Sequence, residues 1–212
     1  FFRTLITILN LHPSKIFFRI IKKFRRFYGF LYIFFFNFNK IQLSKIDNNS
    51  ISKFLDKSET TNFNGEFNFN NLKYNIDLNY FPNNVVKNKL WNYNLNYFDF
   101  INSSKSYRYK NKIIFLIDRW IENNKIFDIE NDSYPTSLRI VNWIKWSIKN
   151  NYYEDKFLNS LKKQTIYLSK NIEYDLISNH IFTNIKAMIF AGFYFKGYFS
   201  DCLLKKALIL LN

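Results

Sequence analysis

The chain has 212 residues and a formal charge of +15, with 48% apolar and 21% aromatic side chains. That much apolar surface offsets chain entropy and excludes intrinsic disorder, and the length suits one packed domain, or one large domain with a small attachment. Four Gly and three Pro argue against a Gly-rich sandwich or a linker, and the lone cysteine, Cys202, excludes a disulfide framework and a Cys-based zinc site within the chain.

Charge is uneven along the chain. Residues 1–46 hold nine basic side chains and no acid. A basic stretch can meet nucleic acid, an anionic membrane surface or an acidic polymer. Yet Phe, Asn, Lys, Ile and Tyr dominate the composition, all with AT-rich codons, and only seven of the 31 basic residues are Arg. Base composition therefore accounts equally well for the excess beyond position 46. The only methionine is Met188, and residues 203–212 run through an apolar helical pattern with no Gly or Pro stop, so a piece of a longer protein is expected.

In chain order, residues 4–28 set Ile16, Phe17, Ile20, Ile21, Phe24 and Phe27 at helical spacing, opposite Lys15, Arg19, Lys22, Lys23, Arg25 and Arg26. The pattern predicts a basic amphipathic helix. Residues 27–36 are apolar but far short of the roughly 20 needed to span a bilayer. Docking on the rest of the protein is the preferred reading, with peripheral membrane contact through residues 1–36 as the alternative. Residues 45–61 read as a loop. Phe67, Phe69, Tyr74, Ile76 and Leu78 then alternate with polar residues around Asn70-Asn71, which predicts a small β-hairpin. Beyond Val85 the periodicity turns helical, with segments near 88–102, 106–123, 135–150, 154–171, 179–196 and 201–212. Asp155, Ser178 and Ser200 are the expected N-caps, and Pro135 suits a first turn. Short connections predict antiparallel neighbours, and two helices apolar nearly all round favour a double ring or stack of hairpins over a simple bundle. The expected division is 1–85 (helix, loop, hairpin) and 86–212 (helical domain).

Three helical stretches could carry chemistry. On 135–150, Arg139, Asn142, Trp146 and Lys149 share a line, a cation, an amide and an indole that can grip a sugar acid; the same line reads equally well as a helix edge with Trp in the core. On 178–195, Asn179, His180, Thr183 and Asn184 sit at the mouth of an otherwise apolar helix, as a pocket wall would, although a lone His beside an Asn is more often a cap or a satisfied core residue. The aromatic crowd at 89–101 reads as packing when taken alone. With His12 and His180 the only histidines, no two-His metal site is expected. No nucleophile elbow, Gly-rich phosphate loop or nucleic-acid-binding motif is legible, so neither metal, cofactor nor nucleic-acid partner is implied.

The stretches LWNYNLNYFDFI, YPTSLRIVNWIKW and YLSKNIEYDLISNHIFTNIKAMIFAGFYF, with the opening LHPSKIFFRI, resemble the N-terminal helical part of the heparinase II/III-like polysaccharide lyases of bacteria. The likeness spans most of positions 4–200. It implies a mainly α chain: an incomplete (α/α) toroid of helical hairpins, truncated before the family's β-sandwich, preceded by a basic amphipathic helix and a small hairpin. It implies β-elimination on a uronic-acid-containing polysaccharide, an acidic glycan as partner and a periplasmic or envelope location. Asn179 matches the family's carboxylate neutraliser with His180 beside it. Arg139 and Asn142 match a cleft-facing helix, with Tyr134 and Trp146 as further substrate-binding residues. The family text carries His where this chain has Asp175 and Gly where it has Ser178. Its proton-transferring Tyr and His are expected beyond position 212, so the fragment alone should be inactive. A non-catalytic carbohydrate-binding or envelope scaffold, and a basic membrane-surface protein, are the alternatives.

Overall fold

The computed structural model describes residues 59–81, 88–123, 132–174 and 179–212, together with Ile21, Phe24, residues 27–29, Leu31 and residues 41–44. The described part is mainly helical, with one two-stranded antiparallel sheet. All six residues of the expected basic face (Lys15, Arg19, Lys22, Lys23, Arg25 and Arg26), His12 and Ser178 lie outside the described residues. The described part of that helix exposes Phe24 and Phe27, which were expected on its buried side. What docks is Gly29, buried so closely that an added Cβ would stand 2.7 Å from Asn171 Nδ2.

The hairpin forms as the alternation predicts. Strands β1 (Glu66–Phe69) and β2 (Leu72–Asn75) pair in the register Phe67↔Tyr74 and Phe69↔Leu72. Asn70 and Asn71 both adopt positive φ (53° and 62°), the conformation a two-residue type I′ turn requires and that Asn tolerates. Phe67 and Phe69 are buried, and the Trp91 indole donates to the Leu72 carbonyl at 3.0 Å. A single hydrophobic cluster runs from Phe63 to Ala207, so the hairpin shares its core with the helices.

Six helices follow among the described residues: α1 (Lys89–Tyr97), α2 (Lys110–Asn123), α3 (Ser133–Asn150), α4 (Asp155–Lys170), α5 (Asn179–Tyr194) and α6 (Tyr198–Leu211). The expected segment 88–102 is broken at Phe98, which takes a left-handed conformation (φ 58°) before a 3-10 turn at Asp99–Asn102. Its ring is fully buried among Phe81, Phe100, Trp120 and Trp143. Burial there, at roughly 2–3 kcal/mol for such a ring, outweighs the roughly 1–2 kcal/mol cost of the backbone. Two expected caps move. Glu154, one residue before Asp155, caps α4. Ser200 lies inside α6 behind the cap Gly197, and its hydroxyl donates to the Gly192 carbonyl.

Helix directions follow from paired residues. Ser137 meets Asn184 and Ser147 meets Tyr194, 47 residues apart in both pairs, so α3 and α5 run in parallel and in register. Tyr93 meets Asp132 and the Tyr97 carbonyl meets Asn142, so α1 runs with them. Against α3, the contacts Ser133–Asn171, Arg139–Gln164 and Trp143–Phe157 make α4 antiparallel, and Lys110–Asn150 with Arg139–Trp120 does the same for α2. Helix α6 runs with α4, through Lys162–Phe199 and Lys206–Ser169. The result is two rows of opposite direction, α1/α3/α5 and α2/α4/α6. Residues 41–44 add an extended piece against the end of α5, where Ser44 N–H donates to the Tyr194 carbonyl at 3.0 Å.

Candidate functional site

Because α3 and α5 are parallel and in register, their first turns lie side by side. Tyr134, the second residue of α3, packs against His180, the second residue of α5, with ring centroids 4.3 Å apart and the ring planes tilted by 36°. His180 Nδ1 is 3.0 Å from Glu173 Oε2. Glu173 is buried in the connection between α4 and α5, where its N–H donates to Asn184 Oδ1 at 3.0 Å, and Asn184 in turn donates to Ser137 on α3. Glu173 is thus tied by its backbone to the helix whose histidine it holds.

The ring contact continues along α1. Tyr97 meets Tyr134 edge-on at 5.9 Å, and Tyr93 stacks on Tyr97 at 6.5 Å, the i, i+4 spacing of one helix face. The Tyr93 hydroxyl donates to Asp132, the residue before α3, and Lys89 Nζ lies 4.0 Å from the same carboxylate. Tyr93, Tyr97, Tyr134 and His180 are all half-buried and Asn179 is exposed. Burial pushes the Tyr97 phenol well above its ordinary range, and Tyr134, Tyr93 and Asp99 add to the effect, so it stays a neutral hydroxyl. The starts of α3 and α5 also contribute partial positive charge to the same end of the row. A strip of rings, a carboxylate-held imidazole and an exposed amide can stack a sugar, hydrogen-bond its hydroxyls and accept an anionic substituent.

Three expected site residues lie elsewhere. Arg139 is fully buried: its guanidinium sits 4.0 Å over the Trp120 ring and donates to Gln164 Oε1 (2.7 Å), the Asn96 carbonyl (3.2 Å) and Thr136 Oγ1 (3.2 Å). Asn142 is buried too, donating to the Tyr97 carbonyl at 2.8 Å and to Asp99. Trp146 packs edge-on against Tyr152 inside the core. These side chains therefore do not line a cleft. Arg139 and Asn142 hold the C-terminal end of α1 against α3, because that end leaves carbonyls that no intrahelical N–H can reach. His180 and Tyr134 do come together, joined by Glu173, Tyr97, Tyr93 and Asp132, which sequence reasoning had not assigned, and Asn179 is exposed as the chain neighbour of His180. The one signal in the sequence for these was the Tyr93/Tyr97 spacing.

No group of three or more metal-ligating side chains is present among the described residues, and none of their helices is long and apolar enough to cross a membrane. Comparison with protein-family models, with curated proteins and with solved structures finds no match for this chain.

Proposed function

We propose that the chain is the N-terminal helical part of a lyase that cleaves uronic-acid-containing polysaccharide by β-elimination, its two rows being the beginning of an (α/α) toroid and its site lying where α3 and α5 begin. The observation that carries this reading is the in-register parallel pairing of α3 and α5, which gathers exposed Asn179, His180 and Tyr134 at one end of a row. Rows of alternating direction are what a toroid of helical hairpins requires.

The chemistry sets the roles. Removing the proton beside a carboxylate builds negative charge on a group that is already anionic, so that carboxylate must be neutralised first. The Asn179 carboxamide, with the positive start of α5 behind it, donates to the uronate carboxylate. The Tyr134 and His180 rings offer a face to the pyranose. Full-length protein incubated with uronic-acid polymers is expected to release unsaturated uronates, read by their ultraviolet absorbance. Asn179→Ala should lower that rate by about 100-fold or more, as loss of a charge-stabilising donor does, with thermal unfolding unchanged because Asn179 is exposed. Undiminished turnover in the variant would remove Asn179 from the mechanism.

The burial of Arg139 favours a second reading, a non-catalytic carbohydrate-binding scaffold, since the cation expected for the carboxylate is committed to the core. That reading calls for equal retention of native and carboxyl-reduced glycan, with no unsaturated product.

A further inference from the structure

The first helix keeps its glycine inside and its rings outside. Its described residues, Ile21, Phe24, Phe27, Tyr28, Gly29 and Leu31, are helical, and Gly29 is the buried one, seated against Tyr167, Lys170 and Asn171 at the end of α4. A helix turns by about 100° per residue, so seating Gly29 there carries Phe24, Phe27 and Tyr28 to the far side. Phe24 is 72% exposed, Phe27 54% and Tyr28 58%. Ile21, Phe24, Tyr28 and Leu31 follow at i, i+3, i+7 and i+10 with Phe27 beside them, which makes one apolar stripe. Lone exposed apolar residues are ordinary, but three rings side by side mark a contact surface.

We propose that this stripe is a docking surface for an anionic phospholipid bilayer, on which the helix lies with its rings between the headgroups. Charge selects the occupant. Lys22, Lys23, Arg25 and Arg26 are interleaved with the rings in the sequence, within a stretch, residues 1–46, of nine basic residues and no acid. A second copy of the chain would bring the same positive charge to the contact and be repelled. A nucleic acid or acidic polymer would satisfy the cations, but it needs them on the face that also receives the polymer, and every described member of this stripe is aliphatic or aromatic. A bilayer asks for an apolar face that enters it and cations that stay among the headgroups, which is what an amphipathic interfacial helix supplies.

A second apolar surface stands at the same end of the molecule. Lys206 donates to the Ser169 carbonyl, within the turn of α4 that receives Gly29, so the exposed Leu208, Ile209 and Leu211 of α6 lie near that turn as well.

Co-sedimentation of the whole chain with lipid vesicles tests this. Binding is expected on vesicles of equal parts phosphatidylglycerol and phosphatidylcholine and little on phosphatidylcholine alone. It should fall several-fold when salt is raised from about 0.05 to about 0.5 M, because screening shortens the reach of the cations. Phe24→Ser combined with Phe27→Ser should weaken binding to the mixed vesicles by about tenfold or more, since two rings no longer leave water. Thermal unfolding should not change, as both side chains are exposed. In a Phe27→Trp variant, lipid brominated on its acyl chains should quench the added fluorescence, the native Trp91, Trp120, Trp143 and Trp146 being buried. No binding to the mixed vesicles overturns the proposal, as does an unquenched Phe27→Trp variant. Binding that the double substitution leaves unchanged also overturns it, because attraction by charge alone is what any polyanion would show. Tighter capture of single-stranded DNA than of vesicles, lost in the same double variant, would assign the rings to bases instead.

Discussion

Guanidinium groups are costly to take out of water, and Arg139 is fully buried. Its stability comes from the fork: three donors meet Gln164, the Asn96 carbonyl and Thr136, while the plane lies over Trp120. Lysine has neither the fork nor the flat face. Arg139→Lys is therefore expected to lower unfolding free energy by about 2–4 kcal/mol, read from denaturant titration, because a buried cation would keep only part of its partners. A change in glycan affinity at unaltered stability would contradict the core assignment. The same residue marks where the sequence stops being informative. A polar line on a helix looks identical whether it faces solvent or the open carbonyls of a neighbouring helix, so Arg139 and Asn142 resembled cleft residues. Asn179 and His180 stood out in the sequence because polar residues at the mouth of an apolar helix mark the turn where it emerges from the core, and their part in a site is the proposal made above. Glu173 was not, since its contact with His180 joins a connection to a helix and has no period to betray it.

Elements were more legible than contacts. Periodicity located all six described helices and the hairpin, because apolar spacing directly encodes which face is buried. Their ends were less legible: Phe98 interrupts a continuous helical pattern for the sake of its ring, and no local propensity announces that. The crossing of α5 and α6 was also invisible in the periodicity. Gly192 lets the two helices approach so closely that an added Cβ would stand 2.6 Å from Leu204 Cγ, and Ser200 bonds the Gly192 carbonyl across the same gap. Gly192→Val should cost about 1–3 kcal/mol by overpacking. Combining it with Leu204→Ala should return part of the loss, a coupling measurable as a double-mutant cycle in chemical denaturation. Strict additivity of the two changes would mean that the helices do not meet at this point.

At the scale of the whole molecule, the helices of the row α1/α3/α5 are joined by phenols as well as by apolar packing. Tyr97 stands at the end of α1, and Tyr194, at the end of α5, shares a 2.7 Å hydrogen bond with Ser147 on α3. Burial raises the ionisation of both above the usual 10.0. In the unfolded chain these phenols lose their protons near that value, whereas in the fold they keep them. Their contribution is therefore fully present below about pH 10 and is lost as pH rises above it. Denaturation midpoints measured from pH 8 to 11 should fall at the alkaline end, and fall less steeply in Tyr97→Phe and Tyr194→Phe; identical slopes in all three proteins would contradict this. The left-handed Phe98 has a consequence of another kind. Its backbone is bent only because four neighbouring rings grip its side chain. If mild denaturation loosened that grip while secondary structure survived, nothing would oppose right-handed winding through 98–102. The swollen state would then carry a longer first helix than the native one, so helicity would increase before it disappeared.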